Sequence, residues 1–426
     1  MDSGTAAQGA AHQASAVGGW HETGFARTML VLVSALGLGV ATMHVYSFGM
    51  VIEPLEREFG WSRGQITAGL TIWSVISVLF APPMGFLADR MGSRRVAMVG
   101  VTLFCGALAL LSFAGPGIAS WWLGWTLVAF GSVCIKTTVW TKAVASRFTQ
   151  RRGLALAFTL CGSGAASMIL PPIVTQYIAD NGWRAAYVAM GAGGAAIVLP
   201  LLLLFFHDAR DLARNPARAT PDTPVAELPG LTIGEGLRSP AFWRIALIAF
   251  LLTMVVTSML VHFVPLMTSG GISRTEAAAA AGLIGAMSMV GRLVTGTILD
   301  MIDARIVGVV ATTFPVVACV LLLNNDGSVF MAVVVAIAIG LALGSEVDVL
   351  AFISAQYFGM RSYGTLFGAV AGLVSFGSGI GPTIAGFIFD HHGHYDPALY
   401  AATPLLLLSA LLMATLPRLS RSSLQD

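Results

Sequence analysis

Lys136 and Lys142 are the only lysines in a chain of 426 residues, and both fall in the apolar stretch GSVCIKTTVWTKAV. A further cation, Arg292, sits in GRLVTGTILD, and two carboxylates, Glu346 and Asp348, sit in GLALGSEVDVL. Charges inside such runs cost about 2.5 to 3.5 kcal/mol each on membrane-insertion scales, so chemistry is their default reading. A guanidinium grips a carboxylate through two parallel hydrogen bonds and stays charged at any working pH. A carboxylate in a cavity can carry a proton. Lys136, Arg292 and this acidic pair are therefore candidates for binding an anion and moving a proton with it.

Depth and facing sharpen the set. Lys136 lies 11 residues before Arg147, roughly 16 Å along a helix and near mid-membrane, whereas Lys142 is only roughly 8 Å from that end and can snorkel. Arg292, eight residues before Asp300, is roughly 12 Å deep. Glu346 and Asp348 point about 200° apart, so one faces a pathway or proton route and the other packs against a neighbouring helix. Ser132, Lys136 and Trp140 share one helical face, so if Lys136 points inward Trp140 supplies apolar surface beside it. Tyr46 is a candidate to do the same from the first helix. His262 has the titration range of a proton relay, and His44 is a weaker candidate. Counting Lys136, Lys142 and Arg292 against Glu346 and Asp348 leaves three positive minus two negative, a net +1 that suits an anion.

The positioning elements are membrane helices. The chain is 56% hydrophobic and 10% charged, and apolar runs long enough to cross a bilayer recur. Six are read at 27–50, 65–88, 96–114, 119–146, 154–178 and 184–206, and six at 241–268, 276–300, 304–323, 328–354, 361–389 and 397–416. Arginines crowd the short loops after the second and fourth helices and the central linker, which predicts both termini in the cytoplasm. Residues 1–26 read as a disordered cytoplasmic tail and not as a signal peptide. The four cysteines all lie in apolar spans and read as packing residues.

The chain repeats itself. Pro54 and Pro265, Arg63 and Arg274, and the set Gly85, Asp89, Arg94 with Gly296, Asp300, Arg305 are each 211 residues apart, while Lys136 and Glu346 are 210 apart. Two six-helix halves, 27–206 and 241–416, are thus expected around an axis along the membrane normal, joined by a linker at 207–240 and followed by a tail at 417–426. The end of the linker, LTIGEGLRSPAFW, suggests a short surface helix.

The stretch GFLADRMGSRR, carrying Gly85, Asp89, Arg90, Gly92, Arg94 and Arg95, matches the GxxxDRxGxRR loop of the major facilitator superfamily, with a degenerate second copy around Gly296, Asp300 and Arg305. RFTQRRGLALAFTLCGSGAA, FGMVIEPLEREFGWSR and HFVPLMTSGGIS resemble the monocarboxylate porter and oxalate-formate antiporter-like members of that superfamily. The resemblance implies an all-α fold of twelve transmembrane helices in two halves. It also implies proton-coupled uptake of a small organic anion, monocarboxylate-like, by alternating access. Arg292 resembles the family's substrate-carboxylate arginine, Lys136 would assist it, and His262 resembles a position at the outer mouth of the cavity. The loop motif would be a conformational latch.

The implied setting is a multi-pass protein of the cell inner membrane, working as a monomer with the lipid bilayer around it. No cofactor, metal or nucleic-acid partner is expected. DHHGHYD, residues 390–396, reads as a solvated loop, no Walker motif is present, and no nucleophile and base converge as an enzyme would need. The alternatives are an exporter of amphipathic or organic compounds on the same fold and a non-transporting membrane receptor.

Overall fold

A backbone in hydrocarbon must satisfy its own hydrogen bonds, so apolar runs of this length fold as helices. The computed structural model describes residues 24–148, 152–207, 230–299, 301–324, 327–359 and 362–417. Its helices are α1 (Gly24–Tyr46), α2 (Phe48–Phe59), α3 (Arg63–Met91), α4 (Ser93–Leu110), α5 (Ile118–Val133), α6 (Thr137–Arg147), α7 (Arg152–Phe205), α8 (Ile233–Arg238), α9 (Pro240–Ser269), α10 (Arg274–Leu299), α11 (Ala304–Leu323), α12 (Val329–Phe358), α13 (Tyr363–His392) and α14 (Asp396–Ala414). The pairs α1–α2 and α5–α6 each make one span, and α7 makes two because Gly182 turns the chain with φ 81°. Twelve crossings result, as the apolar runs predict. The surface helix expected before the seventh crossing is α8, opened by a capping box between Thr232 and Glu235. The tail through residue 23, the linker 208–229, Asp300 and the tail from 418 lie outside the described residues.

The fourth crossing departs from its expected continuous form. α5 stops at Val133, Cys134 and Ile135 form a turn, and Lys136 caps α6 with φ −56° and ψ 154°. Both sides of the break are held by tryptophans. Trp73 Nε1 donates to Ser132 Oγ (2.8 Å), and Trp140 Nε1 donates to the Ile135 carbonyl (2.9 Å). Trp140 is fully buried against Phe206 and α1, where a Cβ on Gly37 would strike its ring. The expectation that Trp140 flanks Lys136 in a cavity is thereby corrected, because a broken helix does not preserve the four-residue register.

The two halves meet along close seams at the end of the bundle away from the termini. On α13, a Cβ at Gly386 would lie 2.8 Å from Thr67 Oγ1 and one at Gly379 would collide with Ser74, whereas one at Gly372 would meet only Val78 at 3.9 Å and one at Gly368 nothing within 4 Å. On α10, a Cβ at Gly282 would lie 2.7 Å from the Met168 carbonyl, while one at Gly296 would meet nothing within 4 Å. Small residues let these helices touch at the far end. The contact loosens toward the end that carries the termini.

The loop motif works within each half. Arg94 Nη2 donates to the Leu203 carbonyl at the end of the sixth crossing (2.5 Å), and Arg305 Nη1 donates to the Leu416 carbonyl at the end of the twelfth (3.0 Å). Arg305 also pairs with Asp303 (2.5 Å). Gly92 has φ 91°, a backbone that disfavours any side chain, and Arg95 is exposed. Of Gly85, Asp89 and Arg90 only the helical backbone is described.

Candidate functional site

Between the halves lies a cavity of about 240 Å³, smaller than the ~300–1,000 Å³ of drug-sized sites. From the first half its wall takes His44 and Tyr46 of α1, Trp73 of α3, and Ile135, Lys136 and Thr137 at the helix break. The second half contributes Thr253 of α9 and Glu346 of α12 among others. Lys136 and Glu346, related by the internal repeat, thus face one space. Among the described residues neither makes an ion pair. The Lys136 ammonium lies 5.0 Å over the Trp73 ring, and Glu346, 3% exposed, accepts a hydrogen bond from the Thr253 hydroxyl.

Arg292 stands off the cavity wall, held by Asp348 through Nη1 at 2.8 Å, with both side chains about a fifth exposed. The expected division between the two carboxylates is seen: Glu346 faces the cavity and Asp348 packs toward a neighbouring helix. Asp348 engages one nitrogen, which leaves the remaining fork of the guanidinium with donors to spare. Tyr46, on the cavity wall, is within electrostatic reach of that charge. Lys142, Arg292 and Asp348 are all off the wall, which carries Lys136 against Glu346, so the net +1 counted over the helix interiors is corrected to a neutral cavity wall.

His262 is not on this wall either. It belongs to the far-end seam, where its Nε2 meets the Pro382 carbonyl and its Nδ1 the Tyr395 hydroxyl, each at 2.8 Å. Burial pushes the Tyr395 phenol up, so its O–H remains a donor, to His262, while its oxygen accepts from Arg63 Nη1 (2.7 Å). Arg63 also pairs with Glu56 (2.7 Å) and stacks on Phe389 (3.8 Å). Asp390 then caps α3 across the seam, accepting from the Arg63 and Gly64 amides at 2.8 Å each. A second tie joins Glu53 to Thr268 (2.8 Å) and Arg274 (3.4 Å). Asp390 and Tyr395 correct the reading of DHHGHYD as wholly solvated, although His391, His392 and His394 are exposed.

Sequence reasoning missed Arg63, Asp390, Tyr395, Trp73 and Thr253. A signal existed for one of them: Arg63 and Arg274 are repeat mates, and each ties the halves together.

An N-terminal cap is worth about 0.5–2 kcal/mol. Asp390→Ala is therefore expected to open the far seam roughly two- to thirtyfold more often. A cysteine at Thr71, whose hydroxyl now contacts Thr383 Oγ1 across the seam (2.8 Å), should be labelled by a membrane-impermeant maleimide correspondingly faster. Unchanged labelling would show that the cap does not hold the seam.

Two six-helix halves around one central cavity describe a transporter scaffold, and a sequence profile of the Major Facilitator Superfamily matches residues 34–382. The chain belongs to that superfamily. Curated relatives in it include monocarboxylate transporter 11 of Mus musculus, 26% identical over 386 residues, with 87% of this chain and 83% of the relative covered. The oxalate:formate antiporter of Oxalobacter formigenes is 23% identical over 405 residues, with 88% of each covered. A solved bacterial homolog of the human lysosomal transporter Spinster, inward-facing and occupied, shares the major facilitator fold with a TM-score of 0.65 at 18% identity, covering 93% of this chain and 95% of the other. The protein is a multi-pass membrane transporter and not an enzyme.

Proposed function

We propose that this transporter takes up a small monocarboxylate together with a proton by alternating access. The observation that carries this reading is the cavity whose wall holds Lys136 and Glu346 with no ion pair between them among the described residues. Entry of one carboxylate leaves an excess negative charge, which a proton on Glu346 cancels, so that the loaded carrier crosses at lower cost than the half-loaded one. Arg292 grips the carboxylate with the fork that Asp348 leaves open, and Asp348 orients that fork. Lys136 adds its charge from the opposite half, and Tyr46 shapes the wall between them.

The relatives named as carriers of monocarboxylates, oxalate and formate support the substrate class. The arginine bias of the short loops supports cytoplasmic termini. With that orientation the sealed end is the outer one, and the structure is an inward-open state.

The test is uptake of a labelled carboxylate panel into proteoliposomes with an imposed pH gradient. At one proton per monocarboxylate, one pH unit should sustain about tenfold accumulation, since it supplies about 1.36 kcal/mol. Uptake indifferent to the gradient would remove symport. Equal uptake of neutral amides would remove the anion.

A further inference from the structure

The second half carries another hollow, of about 230 Å³, between α10, α11 and α12, and it shares no wall residue with the central cavity. Its wall is built from stripes at helical spacing: Gly291, Thr295 and Ile298 on α10, and Val307, Ala311 and Phe314 on α11. The rim residues Val294, Ile306 and Val310 are each about half exposed, so the hollow opens onto the face that lipid covers. Phe314 lies 10 residues past Ala304, the first of α11, roughly 15 Å along the helix and about half of a ~30 Å hydrocarbon core. The start of α11 is at the end of the bundle that carries the termini, since Arg305 there reaches the Leu416 carbonyl. The hollow therefore runs the depth of the leaflet on that side.

Its chemistry is that of hydrocarbon. Among the described residues of its wall none is ionisable, and the two hydroxyls spend their protons inside the protein: Thr295 donates to Ser345 (2.9 Å), which donates to the Leu341 carbonyl (2.7 Å). No hydroxyl proton is left for a polar ligand. The first half supplies the comparison. By the internal repeat Ala311 corresponds to Gly100, 211 residues earlier, and Ser345 to Ile135, 210 residues earlier. There the space is taken: a Cβ on Gly100 would lie 2.5 Å from Cys134 Cβ and 2.7 Å from Ile135 Cγ2, and Ile135 is fully buried. The same three-helix corner is packed shut in one half and left open in the other. A hollow that opens onto hydrocarbon fills with it, because a void forfeits dispersion contacts along every wall.

We propose that this hollow is a binding site for one acyl chain of a bilayer phospholipid, entering from the leaflet on the side of the termini. The lipid-covered rim fixes the source of the occupant, and the apolar wall fixes its chemistry. Lipid tails are as apolar as the side chains they meet, so the chain is retained by close contact with three helices and not by the hydrophobic effect. Thr295 and Ser345 stand about one helical turn from Arg292 and Asp348 respectively, so a seated chain packs beside the two helices that carry that ion pair. The site lies beyond the transport reading and does not rest on it.

The test is photolabelling of the full chain in phosphatidylcholine vesicles doped with a phosphatidylcholine that bears a diazirine midway along one acyl chain, with labelled residues read by peptide mass spectrometry. Label should collect on Val307 and Ala311 at least about fivefold above their repeat mates Val96 and Gly100, because only the former pair borders a space that holds a chain. Ala311→Phe fills the hollow and should remove the excess at Val307, while label on the lipid-facing Val99 and Leu103 stays within about twofold of wild type. If that variant does not fold, Val307→Phe fills the same hollow nearer its mouth and should remove the excess at Ala311.

Equal labelling of the two halves in wild type overturns the site, and so does an excess that survives in the filled variant. Label on Val307 and Ala311 that falls as protein density in the bilayer rises would mean that a second copy of the chain covers the hollow, and it overturns the assignment to lipid.

Discussion

Glu346→Gln is expected to abolish accumulation of a carboxylate under a pH gradient while leaving counterflow exchange within about threefold of wild type. The substitution keeps the volume and an oxygen to accept from the Thr253 hydroxyl. It removes the charge that a proton would cancel. The variant therefore resembles the protonated carrier permanently: it crosses loaded, and it no longer needs a proton to do so. Exchange of internal for external substrate survives because it requires only the loaded crossing. Net uphill movement is lost because nothing ties the return to proton release. Proteoliposomes preloaded with unlabelled substrate measure the first rate, and a pH jump measures the second. Accumulation at wild-type levels would move the proton elsewhere, with Asp348 next in line.

The second large effect concerns Arg292 and separates two roles that single substitutions confuse. Arg292→Ala is expected to lower uptake at least about a hundredfold, and also to destabilise the protein, because it strands Asp348. Breaking a buried pair costs about 3–5 kcal/mol, and partial exposure of these two side chains reduces that to about 2–4 kcal/mol. The double exchange Arg292→Asp with Asp348→Arg restores the pair with its direction reversed. Its thermal melt should recover most of the loss. Uptake should stay at least about a hundredfold down, because the guanidinium fork then projects from α12 and no longer meets the substrate from α10. Recovery of both stability and uptake would show that the pair is structural alone.

Much of this molecule was legible in its residues. Apolar runs set the twelve crossings. The repeat placed Lys136 and Glu346 at equivalent positions, and both line the cavity. The angular argument separated Glu346 from Asp348 correctly. What stayed hidden depends on contacts between distant segments. No proline or glycine marks the break at Cys134–Lys136, because that break is held by indole donors from Trp73 on another helix and Trp140 beyond the turn. Once the helix breaks, the four-residue rule that joined Lys136 to Trp140 has no meaning. Asp390 looked like one polar residue in a histidine-rich loop, and its importance comes from amides more than three hundred residues earlier in the chain. His262, expected at the outer mouth of the cavity, is off the cavity wall and spends both nitrogens on the seam.

The glycines of the two seams carry one last consequence. Gly386 and Gly379 are pressed by α3, while Gly368, on the same stripe of α13, borders open space, as does Gly296 beyond Gly282 on α10. A residue kept small where nothing now touches it is room held in reserve. If the halves tilt about their middle, the stripe has small residues at both ends to serve as a bearing surface.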